Sequence, residues 1–266
     1  MPFTVSHAAA ILPFRRRLPP SALATGAMVP DLPYYLPLPF SSRLTHGWWG
    51  TLLVDLPAGL AVLALFHLVL RAPLTSLAPE GLRARLPGPE RSARGRALAV
   101  PALLAGTATH LVWDAFTQVN GFAVRHWAVL RMPVVEPHKM FNVVMYVSSL
   151  GGLVVLAAWF ALWYRRAPLR PGRWPGAGAR LRGSVLLAGA VAAVVGAALL
   201  GTGDRAAVSL YDLVRGLLLG GICGAAAVAG CYAAWWHARR LPGLVRTPGD
   251  DPVRTAPPAA NPPRRG

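Results

Sequence analysis

The chain alternates between long apolar blocks and shorter segments that are rich in arginine, glycine and proline. Five blocks are long enough to cross a bilayer, since a spanning helix requires roughly 20 apolar residues. The predicted transmembrane helices lie at about residues 51–70, 97–117, 143–164, 184–201 and 211–236. This pattern predicts an all-α fold, a polytopic transmembrane helical bundle that occupies residues 1–240.

Residues 20–40, within the N-terminal motif region 1–50, are harder to assign. They are apolar, but Pro30, Pro33, Pro37 and Pro39 interrupt any regular helix. The segment is either a sixth, proline-broken span or a re-entrant or interfacial segment. The arginines just before it are followed by prolines rather than by an apolar stretch, so we do not expect a secretory signal there.

The distribution of arginine predicts the orientation in the membrane. The segments 71–96 and 165–182 carry six arginines each, whereas the segment 118–142 carries only Arg125, Arg131 and Lys139. The positive-inside rule then puts 71–96, 165–182 and the C-terminus in the cytoplasm. It puts the start of the first span and the end of the second at the outer face. Residues 241–266, rich in Pro and Arg, are predicted to be a disordered cytoplasmic tail.

Composition agrees with a multi-pass protein of the plasma membrane. Charged residues make up 14% of the 266 residues and the mean hydropathy is +0.43, whereas soluble proteins carry roughly 25% charged residues. The formal net charge of +17 comes from arginines between the apolar blocks rather than on one folded face. Nucleic acid is therefore excluded as the main partner, and anionic lipid headgroups are the expected partner.

The second apolar block contains ionisable residues that a lipid-facing helix would not carry. His110 and Asp114 are four residues apart and therefore share one helix face. Thr107 and Gln118 extend that face by a turn in each direction. Ionisable groups inside a span cost roughly 2.5–3.5 kcal/mol each, so they usually face a cavity or a partner.

Further carboxylates and imidazoles are predicted at the same outer face. Asp55 lies near the outer end of the first span, and His46 shortly before it. Two or three imidazoles with carboxylates form a ligand set suited to zinc, manganese or iron. Simpler interpretations stay open: a hydrogen-bonded His110–Asp114 pair, an interfacial Asp55, and solvated side chains for His126 and His138 in the following loop. No HExxH or CxxC motif is present.

Four motifs carry a resemblance to a known family. The stretches "MPFTVSHAAAILPF", "ATGAMVPDLPYYL", "THGWWGTLLVDLPAG" and "GTATHLVWDAFT" closely resemble the Domain of Unknown Function 4184 family of bacterial integral membrane proteins. More distantly, the order of these motifs is similar to that of YdjM-type membrane-bound metal-dependent hydrolases. The second resemblance implies a metal site formed by His7, Asp31, His46, His110 and Asp114. Asp55, Gln118 and Thr107 are additional candidates because of their positions on the spans. This chain has Gln118 and Met145-Tyr146 where the family pattern has histidines.

Three functions are therefore compatible with the sequence. The first is a metal-dependent hydrolase that acts on a lipid-linked or phosphoester substrate at the outer membrane face. The second is a transporter in which Asp55, His110 and Asp114 relay protons, and the third is a non-catalytic membrane protein whose polar pairs pack helices. The stripe of Gly216, Gly220 and Gly224 on the last span predicts close helix packing, either within the chain or in a homo-oligomer.

Overall fold

A computed structural model describes residues 4–36, 38, 40–88, 92–170, 172, 174–203 and 210–240. The tail predicted at 241–266 lies outside the described residues, as do Pro37 and Pro39. The helices in chain order are α1 (Pro20–Met28), α2 (Leu32–Tyr35), α3 (Ser42–Thr45), α4 (Trp48–Leu77), α5 (Glu80–Arg83), α6 (Ala93–Ala97), α7 (Ala99–Thr117), α8 (Phe122–His126), α9 (Met140–Arg166), α10 (Ala179–Gly201) and α11 (Leu210–Ala238).

Short elements connect these helices. The 3-10 turns are Thr4–Ala9, Val29–Asp31 and Ala128–Arg131. Strands β1 (Pro133–Val135) and β2 (His138–Lys139) form an antiparallel hairpin between α8 and α9. Helix α4 contains two π-helical stretches, and the first of these ends at Asp55.

Within the described residues, four helices are long and apolar enough to cross a membrane: α4, α9, α10 and α11. They confirm the helical membrane bundle and match four of the five predicted spans. The remaining predicted span forms α7, whose 19 residues include His110 and Asp114. These polar residues lower its hydropathy below that of the other four helices. The count of five spans, and the orientation in the membrane, stay predictions.

The proline-rich N-terminal segment forms a short helix that packs on α7. Helix α1 is nine residues long and so measures about 14 Å, too short for a hydrocarbon core of roughly 30 Å. It ends before Pro30, and Pro30 and Pro33 each lie in the first turn of the next short helical element. Leu23 and Ala27 of α1 pack with Ala102 and Leu103 of α7 in a buried apolar cluster.

Two glycines allow α1 and α7 to approach at backbone distance. A Cβ atom on Gly26 would lie 2.1 Å from the carbonyl oxygen of Leu103, and one on Gly106 would lie 2.2 Å from that of Leu23. Neither position therefore accepts a side chain. This close crossing brings the end of α1 and the turn after it against the polar face of α7.

Helices α10 and α11 form a separate antiparallel pair. The predicted small-residue stripe faces α10 of the same chain, because a Cβ atom on Gly220 would lie 1.9 Å from the carbonyl oxygen of Gly196. Gly216 and Gly224 make equally close approaches to Leu200 and Ala192. The structure therefore shows the intramolecular alternative for the stripe, and self-association stays a prediction.

We expect Gly220→Leu to destabilise the α10–α11 pair. Overpacking a close contact typically costs about 1–3 kcal/mol, so fluorescence-detected melting of the purified protein should shift to lower temperature. Gly230→Leu is the matched control, since a Cβ atom there has no neighbour within 4 Å. Equal melting temperatures for the two variants would contradict the observed helix crossing.

Candidate metal centre

Three separate segments bring four ionisable side chains to one point. Asp31 ends the turn Val29–Asp31 after α1, and His46 follows directly after α3. His110 and Asp114 project from one face of α7. One ligand atom from each of these four residues lies within 4.8 Å of the other three. We call this group the His/Asp cluster.

The nitrogen and oxygen atoms of the cluster lie at short mutual distances. The Nε2 atom of His46 lies 3.1 Å from Oδ2 of Asp114 and 3.8 Å from Oδ1 of Asp31. The Nε2 atom of His110 lies 3.4 Å from Oδ2 of Asp114 and 3.6 Å from Oδ1 of Asp31. The two Nε2 atoms are 3.4 Å apart.

Backbone carbonyl groups orient both imidazole rings. The Nδ1 atom of His110 lies 2.8 Å from the carbonyl oxygen of Ala27, and Nδ1 of His46 lies 2.8 Å from that of Ser42. A carbonyl can only accept, so each Nδ1 carries a proton, and each Nε2 is the ring nitrogen that faces the carboxylates. This arrangement, with the distal ring nitrogen bonded to a carbonyl, is usual for histidines that bind metals.

Hydroxyl groups hold the two carboxylates. Thr4 donates to Oδ2 of Asp31 at 2.7 Å, and Tyr35 contacts the same hydroxyl at 2.7 Å. Thr117 donates to Oδ1 of Asp114 at 3.4 Å, with Gln118 at 3.5 Å. In each carboxylate the second oxygen is then the one nearest to the imidazoles.

The cluster is buried, with one partly open side. Asp31, His110 and Asp114 are buried, while the side chain of His46 is 22% exposed. Burial raises the pKa of Asp31. Burial acts most strongly, lowering the pKa of His46, but the hydrogen bond to Asp114, the charge of Asp114 and the bond to the Ser42 carbonyl together outweigh it, and the pKa is raised. Both shifts favour the protonated forms of these two groups, and a bound cation would compete with their protons.

His7 lies beside the cluster rather than in it. Its ring stacks on His110 with centroids 4.1 Å apart, and its Nε2 atom lies 3.6 Å from Oδ1 of Asp114. Burial, reinforced by the charge of His110, lowers the pKa of His7 to about 3, so the ring is neutral near pH 7. Neither ring nitrogen has a hydrogen-bond partner among the described residues.

The additional candidates differ in their relation to the cluster. Asp55 is buried, and neither carboxylate oxygen has a hydrogen-bond partner in the described part of the chain. Its helical stretch contacts the turn Val29–Asp31, α3 and α7, the three elements that carry the cluster. Thr107 instead donates to the carbonyl oxygen of Gly26 at 3.2 Å, and this hydrogen bond links α1 to α7. His126 and His138 are exposed and do not belong to the cluster.

Several residues that shape the site carry no signal in the sequence. Thr4 donates a hydrogen bond to Asp31, and Tyr35 hydrogen-bonds to the Thr4 hydroxyl. Thr45 donates to the carbonyl oxygen of Pro30 at 2.7 Å, which links α3 to the turn Val29–Asp31. Trp113 contacts His7, with ring centroids 5.3 Å apart. Such residues become recognisable only once α1, α3 and α7 have been placed together. The structure thus gathers four of the five predicted ligands, with His7 alongside, and their role as ligands stays a prediction.

Comparison with known proteins gives one match. The model of the family described as Domain of unknown function (DUF4184) matches residues 1–231. This range includes every residue of the cluster and all the described helices except the last turns of α11. No curated protein and no solved structure matches the chain.

Proposed function

This chain belongs to the DUF4184 family, and we propose that its His/Asp cluster binds a divalent metal ion used for hydrolysis. The observation that carries the proposal is the convergence of four buried or part-buried ligand atoms within 4.8 Å of one another. Burying two carboxylates and two imidazoles is costly unless they pair or coordinate a cation.

The spacing of the ligand atoms supports metal binding. Ligand bonds of roughly 2.0–2.1 Å in a tetrahedral site put neighbouring ligand atoms about 3.3 Å apart. The five measured separations between His46, His110, Asp31 and Asp114 run from 3.1 to 3.8 Å. Small side-chain movements would therefore bring the four ligand atoms within bonding distance of one ion. The mixed nitrogen and oxygen donor set suits zinc, manganese or iron.

A metal ion bound here would supply a Lewis acid and an activated water for hydrolysis of an ester or phosphoester. The protein's own groups would complete the site. The part-exposed side of His46 marks where a substrate reaches the cluster. Asp55 supplies a buried carboxylate free of hydrogen-bond donors among the described residues, and we assign it as the proton acceptor. The resemblance to YdjM-type hydrolases implies the four cluster residues and His7 as metal ligands.

Metal analysis of the purified full chain tests this proposal. We expect about one equivalent of zinc, manganese or iron per chain after dialysis, because the four cluster residues would hold the ion. Chelation should remove the metal together with any hydrolysis of bis(p-nitrophenyl) phosphate, and addition of the metal should restore both. Less than a tenth of an equivalent of any divalent metal would refute the metal centre. Stoichiometric metal without hydrolysis of this probe or of a phospholipid would refute only the hydrolase assignment.

A further inference from the structure

An apolar groove runs along α7 on the side next to the cluster. It encloses about 530 Å³ between α7, α9 and residues 10–14. Its walls include Ala105, Ala108, Val112, Phe116 and Val144. A volume of this size is typical of sites that hold a small organic ligand.

The hydroxyl groups that line the groove do not make it polar. Thr109 donates to the carbonyl oxygen of Gly106 at 2.7 Å, and Ser148 donates to that of Met145 at 3.3 Å. Both hydroxyls therefore bond to the backbone of their own helix. The groove presents hydrocarbon over its length, and its mouth is open at Val112, which is 62% exposed.

The length of the groove matches one leaflet of a membrane. Its lining residues on α7 run from Ala105 to Thr117, which corresponds to about 18 Å at 1.5 Å per residue. One leaflet contributes roughly 15 Å, half of the hydrocarbon core. A lipid chain that enters at the Thr117 end would therefore reach about to the middle of the bilayer.

The Thr117 end of the groove adjoins the His/Asp cluster. Thr117 lines the groove, and its hydroxyl lies 3.4 Å from Oδ1 of Asp114. Trp113 also lines the groove and packs against His7. The indole Nε1–H of Trp113 is buried and has no acceptor among the described residues.

We propose that the groove holds one apolar chain of a bilayer lipid whose polar head lies at the Thr117 end, beside the cluster. The substrate class is then a membrane lipid with an ester or phosphoester bond next to its head group. That substrate role rests on the proposed function, whereas lipid binding by the groove does not. A water-soluble phosphoester would leave this hydrocarbon surface uncovered, which is why the groove favours a lipid.

Photo-crosslinking with a defined lipid tests the inference. The full chain is reconstituted in phosphatidylethanolamine–phosphatidylglycerol vesicles containing a phospholipid with a diazirine at the end of one acyl chain. After irradiation, mass spectrometry locates the labelled residues. We expect labelling around Phe14 and Ala105 to exceed that at Val191 and Val194 of α10 by at least about fivefold, because a groove encloses its ligand and an open helix face does not.

A groove-filling variant and a matched control complete the test. Ala108→Trp should reduce labelling in the groove by at least about fivefold, since the indole occupies the space of the chain. Val191→Trp, on an exposed face of α10, should leave it unchanged. Even labelling of all exposed apolar faces in the wild-type protein would overturn the inference. Labelling confined to the groove in metal-free protein would support it even if the metal analysis refuted the proposed function.

Discussion

Asp114→Asn is expected to weaken divalent-metal binding by at least about 100-fold. Loss of a residue that only hydrogen-bonds to a metal ligand already weakens binding by about 10–100-fold, and Asp114 is itself a proposed ligand. The change keeps the shape of the side chain but removes its charge. It affects the residue with the most contacts in the cluster, because Oδ2 lies 3.1 Å from His46 and 3.4 Å from His110. No other described carboxylate is this close to both imidazoles.

Isothermal titration of chelator-treated protein with zinc or manganese measures this effect. His138→Ala is the control, since His138 is exposed on β2 and outside the cluster, and it should bind metal as the wild type does. Unchanged affinity in Asp114→Asn would show that metal, if bound, lies elsewhere.

The alternative of a purely structural cluster predicts a different outcome. Removing one partner from a buried ion pair costs about 3–5 kcal/mol, whereas replacing the whole pair by apolar residues is often neutral or stabilising. A protein whose His110 and Asp114 only pack helices would therefore tolerate His110→Leu with Asp114→Leu in one chain. The metal-binding interpretation predicts that this double variant folds but loses its metal.

The spans could be predicted from the sequence because each is encoded by local composition. The block at 143–164 corresponds to Met140–Arg166, and that at 184–201 to Ala179–Gly201. The prolines correctly indicated that residues 20–40 are broken. The contact between α1 and α7 was not predicted, because Gly26 and Gly106 are 80 residues apart in the sequence.

Part of the site could also be predicted, because two of its residues stand out from the local composition of their helix. His110 and Asp114 are identifiable because a charged pair is unusual in an apolar helix. Asp31 and His46 lie outside the predicted spans, so periodicity does not indicate them, and they were predicted from their expected position at the outer face and from the resemblance. Thr4, Tyr35 and the carbonyl of Ala27 join the site only through the packing of α1 on α7. Long-range contacts of this kind have no local sequence signal.

The second large effect is expected for Gly106→Leu, because this change disrupts the packing of α1 on α7. A Cβ atom on Gly106 would lie 2.2 Å from the carbonyl oxygen of Leu23 and 2.8 Å from the nitrogen of Ala27. The clash is with backbone, which cannot move aside as a side chain can, so α1 must shift away from α7. That shift would remove the Ala27 carbonyl from His110 and displace Asp31, which follows α1 by three residues.

We expect Gly106→Leu to lower stability and abolish metal binding together. Overpacking costs about 1–3 kcal/mol and more where backbone is involved, which corresponds to a melting temperature lower by about 5 °C or more. Gly151→Leu on α9 is the control, because a Cβ atom there meets nothing within 4 Å. Melting curves and metal content should change for the first variant and not for the second. If the Gly106→Leu protein kept its metal, the cluster would not depend on this helix crossing. The ligands would then be positioned by α3 and α7 without the contact to α1.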